Sequence, residues 1–334
     1  MTDANTADRL APPAWFSRAV TATPDTVDVH RDGRAIRVYR WGDPAGRPLV
    51  LLHGFGANAH WWDHIAPQLV GDGLQVAAVD LAGHGASDYS EEYTLSGWAA
   101  DVEEVGRYLS PMKPLLVGHS AGGRVAWKAA ELYGADLLAV VSVDGPLPPP
   151  APQPEGSVRC WRRRKDHRVY RDRDEIIGRF RPTPDQELVL PYVLRHIAER
   201  SVRPLSDGWT WAHDTKIYQR RRIDEIVARP LGCPLFMVIA ENGRTSFAAA
   251  SLVLAGDPAD VVAHHPRGGT PHHAGSAARS RQRLALDHRP HDLIVAVDQN
   301  RSYRTDRGSA FPDSDHGAEP TYRLGSELCV RNHV

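Results

Sequence analysis

The stretch Gly118-His119-Ser120-Ala121-Gly122 decides the fold, because it stands directly between an apolar stretch and a helical pattern. Residues 114–119 (PLLVGH) are typical of a short buried strand, and the apolar residues of 121–133 recur at helical spacing. A G-x-S-x-G sequence between a strand and a helix predicts a sharp turn that presents the serine side chain. We therefore predict that Ser120 is a catalytic nucleophile.

The same alternation extends along much of the chain. Residues 26–41 predict a β-hairpin that turns at Asp32-Gly33. Residues 95–109 predict an amphipathic helix. Further short apolar stretches, typical of strands buried on both faces, lie at 48–53, 75–80, 137–144 and 234–240. Strands and helices that alternate in this way predict an α/β fold with a mostly parallel, doubly wound sheet.

A second motif, His53-Gly54-Phe55-Gly56, ends the predicted strand at 48–53. A serine hydrolase needs a backbone N–H at this position to stabilise the negative oxygen of the tetrahedral intermediate. We assign the two donors of this oxyanion hole to the N–H groups of Phe55 and Ala121. The alternative is that the motif is only a glycine-rich strand exit.

Three side chains beside these motifs are candidates for contact with an apolar substrate. Trp62 follows the oxyanion motif, His119 precedes the nucleophile, and Trp209 lies in a Gly-Trp-Thr-Trp sequence. For the tryptophans the alternative is packing in the core or in a cap. His53, His119 and also His84, in the sequence Asp80-Leu81-Ala82-Gly83-His84, lie inside glycine-containing motifs, and we expect them to pack or to shape loops rather than act as the catalytic base.

Residues 146–231 interrupt the alternation with a proline-rich beginning and an arginine-rich helical region. An insertion here would lie over the carboxyl ends of the strands, where ligands of such folds bind, so we predict a helical cap. The chain then divides into an N-terminal extension at 1–25, a core at 26–145 and 232–256, the cap at 146–231, and a tail at 257–334.

The tail has an unusual composition. Residues 257–334 contain no lysine but eight of the chain's 17 histidines, and only 259–263 and 293–297 hint at strands. We predict that this segment is disordered. A sharper hypothesis is that the reading frame shifts between residues 250 and 275, so that the tail is not native-frame sequence. Unbroken codon periodicity up to the stop codon would contradict that hypothesis.

Together with residues 80–88 (DLAGHGASD), the two motifs resemble the α/β-hydrolase superfamily over about residues 26–241. The resemblance implies an α/β-hydrolase fold with a serine nucleophile, an acid after a later strand, and a histidine near the C-terminus. Within the predicted cap, residues 179–182 (RFRP) and 208–211 (GWTW) resemble elements of one subgroup of bacterial α/β hydrolases. The resemblance therefore implies a serine-dependent hydrolase and leaves its substrate open.

The resemblance leaves three candidates for the catalytic acid. Asp144 closes the predicted strand at 137–144, and Glu241 directly follows the strand at 234–240. Most members of the superfamily place the acid a few residues after the second of these strands, yet residues 242–246 contain no carboxylate. We favour Asp144, with Glu241 second and Asp257 third.

The catalytic base is a histidine of the tail in this interpretation. We choose His265, which follows the apolar residues 261–263, as the base of the superfamily follows its last strand. His264 and the pair His272-His273 are alternatives. The remaining alternative is that the chain has no functional base.

Charge, cysteine spacing and the absence of certain motifs argue against several other classes of protein. The net charge is −1, and the three cysteines have no C-x-x-C spacing, so we expect no nucleic-acid partner and no structural zinc. The sequence contains no P-loop and no metal-ligand spacing, so we predict no cofactor. We see no signal peptide and no apolar stretch that would span a membrane, and we expect a cytoplasmic protein whose partner is a small-molecule, apolar, ester-like substrate.

The predicted function is hydrolysis of an ester or related acyl substrate through an acyl-serine intermediate. Cofactor-free haloperoxidase and carbon-carbon bond hydrolase activities use the same serine constellation and remain open. A serine at the sharp turn argues against haloalkane dehalogenases and epoxide hydrolases, which carry aspartate there. The alternative from another class is a catalytically impaired protein that binds a ligand without turnover.

Overall fold

The computed structural model describes residues 11–71, 73–145, 168–182, 190–221, 226, 231–239 and 261–263. The strands are β1 (Asp25–Arg31), β2 (Arg34–Gly42), β3 (Arg47–Leu52), β4 (Leu74–Val79), β5 (Leu115–His119), β6 (Ala139–Val143), β7 (Val202–Leu205), β8 (Gly208–Trp211), β9 (Leu235–Ile239) and β10 (Val261–Ala263). The helices are α1 (Ala14–Thr21), α2 (Ala66–Leu69), α3 (Leu95–Leu109), α4 (Ala121–Tyr133), α5 (Arg173–Gly178), α6 (Pro191–Arg200) and α7 (Ile217–Arg220), with 3-10 turns at Ala59–Trp62 and Gly134–Asp136.

Among the described residues, the central sheet has eight strands in the order β1-β2-β4-β3-β5-β6-β9-β10. Strand β2 runs antiparallel to both of its neighbours, and all the other pairs are parallel. The predicted mostly parallel α/β sheet is therefore confirmed. The edge hairpin turns at Asp32 (φ 51°) and Gly33 (φ 74°), a pair of positive φ angles that suits the two-residue turn predicted from the sequence.

Helices and turns cover both faces of this sheet, which explains why its strands are continuously apolar. In β3, Val50 and Leu52 pack in a core cluster with residues of α3 and α4. Leu49 and Leu51, which point to the opposite face, pack in a second cluster with the residues around α2. All four side chains are at most 1% exposed. Because successive side chains alternate between faces, a strand buried on both sides must be apolar at every position.

The predicted cap region contains a β-hairpin as well as helices. Helices α5 and α6 are present in it, and β7 pairs with β8, which is the Gly208–Trp211 stretch. The predicted N-terminal extension contains α1, whose Phe16 packs with Val193 and Ile197 of α6. Part of the predicted extension thus packs against a helix of the predicted cap region.

The second half of the predicted core and the tail fall mostly outside the described residues. Strand β10 pairs in parallel with β9, which agrees with the hint of a strand at 259–263. Glu241, Asp257, His265 and residues 293–297 all lie outside the described part of the chain. Within the part that is described, no helix combines the length and apolarity needed to cross a membrane.

Candidate active site

Ser120 occupies the sharp turn between β5 and α4. Its backbone has φ 52° and ψ −114°, a conformation that a non-glycine residue adopts only under strain. The N–H of Ser120 donates a hydrogen bond to the carbonyl oxygen of Val143 at the end of β6, with an N···O distance of 2.8 Å. The predicted turn is therefore present and is tied to the neighbouring strand.

The glycines of the motif permit two close backbone approaches. A Cβ on Gly118 would lie 2.2 Å from the carbonyl oxygen of Gly122, and a Cβ on Gly122 would lie 2.5 Å from the carbonyl oxygen of Leu52. Both distances are far below van der Waals contact with backbone atoms that cannot rotate away. The start of α4 can therefore pack directly on the end of β3 only because these positions have no side chain.

This packing brings the second motif next to Ser120. A Cβ on Gly54 would lie 3.3 Å from Nδ1 of His119 and 3.4 Å from Cβ of Ser120. Phe55 follows Gly54 in the same loop, and Ala121 is the first residue of α4. The structure thus places the loop that carries Phe55, the first residue of α4 and His119 next to the candidate nucleophile.

Two buried histidines hold the loops around this site. His53 Nδ1 donates to the carbonyl oxygen of Gly54 at 2.7 Å, and its Nε2 accepts the N–H of Leu81 at 3.1 Å. His84 Nε2 accepts the N–H of Gly56 at 3.2 Å. Burial lowers the pKa of His53 well below its usual value and lowers the pKa of His84 to about 4. Both rings are therefore neutral at neutral pH and occupied by backbone partners, in line with a loop-shaping role.

Asp80 at the end of β4 organises the same end of the sheet. Its carboxylate is fully buried and accepts the N–H groups of Ala59 at 2.6 Å and Ala86 at 2.8 Å. Burial raises the pKa of Asp80, and the two backbone N–H groups oppose that rise. A Cβ on Gly85 would lie 2.1 Å from Oδ2 of Asp80. The loop at 80–88 is therefore folded around the side chain of Asp80, its first residue.

Asp144, the favoured acid, directly follows β6 at the same edge of the sheet as Ser120. Its backbone has φ 45°, and its N–H donates to the carbonyl oxygen of Val238 in β9 at 2.7 Å. The next residue, Gly145, comes so close that a Cβ there would lie 3.4 Å from the carbonyl oxygen of Ser120. This placement suits the proposed acid, although its histidine partner His265 is outside the described residues.

The two tryptophans chosen for substrate contact both lie in packed surroundings. Trp62 is 6% exposed and belongs to the core cluster on the α2 face of the sheet. Trp209 is half-buried in β8, and the guanidinium of Arg173 lies 5.6 Å from the centroid of its ring. The backbone N–H of Trp209 donates to the carbonyl oxygen of Tyr170. These contacts favour the packing alternative, and substrate contact by either tryptophan stays a prediction.

An eight-stranded, mostly parallel sheet whose β5 leads through a strained serine turn into a helix defines the α/β-hydrolase class of folds. Comparison with known proteins agrees: residues 47–186 match the family model described as alpha/beta hydrolase fold. These findings show an α/β-hydrolase fold and support the assignment of the chain to the α/β-hydrolase superfamily.

Individual relatives match only part of their own length. Epoxide hydrolase 4 of Mus musculus is 31% identical over 146 residues, which cover 42% of this chain and 40% of that protein. Esterase Rv0045c of Mycobacterium tuberculosis is 40% identical over 114 residues, which cover 32% of this chain and 37% of that protein. Among solved structures, the thioesterase domain from the curacin biosynthetic pathway has a TM-score of 0.59 at 19% identity, with 72% of this chain and 92% of that chain covered. That likeness concerns the fold alone.

Proposed function

We propose that the chain is a serine hydrolase that cleaves an ester or related acyl substrate through an acyl-serine intermediate. The observation that carries the proposal is the strained backbone of Ser120, with φ 52° between β5 and α4. Strain of this kind persists only where the surrounding structure enforces it, and it is concentrated at functional sites. Here the N–H of Ser120 is hydrogen-bonded to Val143 of the neighbouring strand, and the glycines at 118 and 122 allow α4 to pack directly on β3. The surrounding backbone therefore holds the turn in this conformation.

In the proposed reaction, the Oγ of Ser120 attacks the substrate carbonyl carbon, and its proton passes to His265. The resulting negative oxygen accepts hydrogen bonds from the N–H groups of Phe55 and Ala121. His265, oriented by Asp144, then returns the proton to the leaving alcohol, and water cleaves the acyl-serine by the same steps in reverse. Glu241 and Asp257 remain the second and third candidates for the acid.

The position of Ala121 supports this stabilisation of negative charge. It is the first residue of the 13-residue helix α4, where backbone N–H groups have no partner within the helix. The dipole of the helix adds partial positive charge at this end, which favours an anion beside it. The serine turn and the start of α4 therefore supply both the nucleophile and an electrostatic environment that stabilises the negatively charged intermediate.

Epoxide hydrolysis is the second candidate, because relatives with that name match the chain. An aspartate nucleophile opens an epoxide to an ester that water can cleave afterwards. Ser120 would open the same ring to an ether, which has no carbonyl for water to attack. Acyl substrates are therefore the better match for a serine at this position.

The test combines covalent labelling with turnover. Purified protein is treated with a fluorophosphonate probe, and hydrolysis of short p-nitrophenyl esters and of an aryl epoxide is followed in parallel. We expect labelling and ester turnover in the wild type, the loss of both in Ser120→Ala with turnover falling by up to about a millionfold, and normal behaviour in the control Ser110→Ala. A soluble wild type that neither reacts with the probe nor cleaves ester would contradict the proposal and favour the impaired-protein alternative.

The same assay distinguishes the candidate acids. Asp144→Asn and Glu241→Gln each remove one carboxylate with little change in volume. We expect the larger loss of turnover from Asp144→Asn. A larger loss from Glu241→Gln would transfer the assignment to Glu241 without affecting that of Ser120.

A further inference from the structure

The ring of His84 lies behind the loop that carries the proposed oxyanion donor Phe55. It is 1% exposed and 28 residues away from this loop in sequence, yet its Nε2 accepts the N–H of Gly56 at 3.2 Å. Its other nitrogen, Nδ1, lies 3.2 Å from the carbonyl oxygen of Ala82. Both ring nitrogens are thus engaged by backbone groups, one of them in the oxyanion loop.

These partners fix the protonation state of His84. An N–H group can only donate, so the Nε2 that faces Gly56 must be unprotonated. The single ring proton then lies on Nδ1 and is donated to Ala82. Burial lowers the pKa of His84 to about 4, so this neutral tautomer is the form present at neutral pH. Protonation would replace the acceptor that Gly56 needs with a second donor.

The ring also contacts the side chain of Phe55. Their centroids are 5.6 Å apart, with the planes at 84°, an edge-to-face arrangement. On its other sides His84 packs against His53 at 4.9 Å and Trp98 at 6.2 Å. Phe55 is therefore held at its side chain by ring packing and at its following peptide by the Gly56 hydrogen bond. Those two restraints leave little freedom for the preceding peptide, whose N–H is the proposed donor.

The loop itself needs such restraint. Gly56 has φ 75°, a left-handed conformation, and a Cβ there would meet no atom of the described residues within 4 Å. Crowding therefore does not hold this part of the loop, and the loop depends on specific contacts for its shape. Because glycine is the most flexible residue, a missing hydrogen bond at Gly56 would let the Phe55–Gly56 peptide rotate.

We propose that His84 is a positioning residue of this hydrolase, whose neutral ring holds the Phe55–Gly56 peptide so that the N–H of Phe55 is aimed at the oxyanion. This rests on the proposed function of Ser120. The ring does not touch substrate in this assignment and acts through the oxyanion loop alone. Its effect should therefore appear in the chemical step, because the oxyanion forms only there.

The test compares His84→Leu, which removes the acceptor, with His84→Gln, whose amide oxygen can reach the position of Nε2. The control is Trp98→Phe, which removes another donor to the Ala82 carbonyl, at 3.1 Å, and leaves Gly56 untouched. Hydrolysis of p-nitrophenyl esters gives kcat and KM, the fluorophosphonate gives the rate of attack by Ser120, and urea unfolding reports stability. A misplaced catalytic group costs about a hundredfold. For His84→Leu we expect kcat and the labelling rate to fall by about 10- to 100-fold, with KM within about threefold of wild type. In His84→Gln we expect kcat and the labelling rate to recover substantially. In Trp98→Phe we expect kcat within about twofold of wild type.

Several results would overturn the proposal. A folded His84→Leu with kcat within about twofold of wild type would do so, as would equal losses in folded His84→Leu and His84→Gln. If His84→Leu does not fold, His84→Asn takes its place, because its amide reaches only the Nδ1 position, and equal kcat for the Asn and Gln variants would then refute the assignment. A wild type that the probe does not label refutes the proposed function as a whole. Normal labelling of the wild type, together with a labelling rate that does not change when His84 is replaced, refutes only the role of His84.

Discussion

Replacement of His64 by leucine should remove part of the acid sensitivity of the fold. His64 is buried, with 7% of its surface exposed, and its ring lies 5.9 Å from that of Phe16 in α1. Burial, reinforced by the nearby His196, lowers the pKa of His64 from 6.5 to about 4. Among the described residues, no group forms a hydrogen bond with its Nδ1. His64 therefore binds a proton more weakly in the folded protein than in the unfolded chain.

The size of the effect follows from the two pKa values. Each pKa unit is equivalent to about 1.4 kcal/mol, so a shift from 6.5 to about 4 amounts to about 3 kcal/mol in total. The unfolded chain binds the proton first, so the free energy of unfolding falls as the pH drops below 6.5 and continues to fall until about pH 4. Between pH 7.5 and pH 5, His64 alone should account for a loss of about 2 kcal/mol.

Urea unfolding at pH 7.5, 6 and 5 measures this loss directly. In His64→Leu we expect the decrease in the free energy of unfolding between pH 7.5 and pH 5 to be about 2 kcal/mol smaller than in wild type. His53 and His84, whose pKa values are also lowered, should keep part of the dependence in the variant. The control His30→Gln replaces an exposed histidine and should reproduce the wild-type decrease. A His64→Leu variant with the full wild-type decrease would refute the reasoning.

Two further predictions concern packing around the site. Gly122→Ala places a Cβ 2.5 Å from a backbone oxygen of β3 and should cost about 3 kcal/mol or more in urea unfolding, whereas Gly178→Ala, which meets nothing within 4 Å, should change stability by less than about 1 kcal/mol. Equal effects would contradict the close approach. Tyr93→Phe removes the hydroxyl that donates to Asp214 at 2.7 Å and accepts the N–H of Ser90 at 3.0 Å and should cost about 1 to 3 kcal/mol, while Tyr108→Phe, at a side chain 53% exposed, should be neutral. A neutral Tyr93→Phe would show that the hydroxyl of Tyr93 does not stabilise the fold.

The strands of the parallel sheet could be predicted from sequence because burial on both faces leaves a local signal. Strand β3 alternates between two core clusters, so residues 48–52 are apolar or proline throughout. The serine turn was equally predictable, because the glycines that the turn needs stand beside Ser120 in the chain. In both cases the physical requirement falls on neighbouring residues, where a sequence pattern can show it.

Other features could not be predicted because they depend on contacts between distant residues. Helix α1 has eight residues, and its Phe16 is buried by Val193 and Ile197 of α6 and by the ring of His64, all of which are distant in sequence. The pairing of β7 with β8 joins two four-residue strands in which most residues are not buried, so neither has a strong pattern. His84 was recognised as part of a motif, but nothing near it in sequence indicates that its partner is Gly56.

Substitutions at Gly122 and at His84 should affect stability and activity in different proportions. Gly122 sets the distance between α4 and β3, and these two elements lead to the proposed donors Ala121 and Phe55. A side chain at Gly122 would therefore disturb the sheet and both donors at once, and stability and activity should fall together. His84 contacts the loop after β3 through Gly56 and Phe55, and it also contacts Ala82 and the rings of His53, Trp98 and His213. Replacement of His84 should reduce turnover while most of the packing of the sheet remains. The ratio of the loss in activity to the loss in stability therefore distinguishes a positioning residue from a structural one.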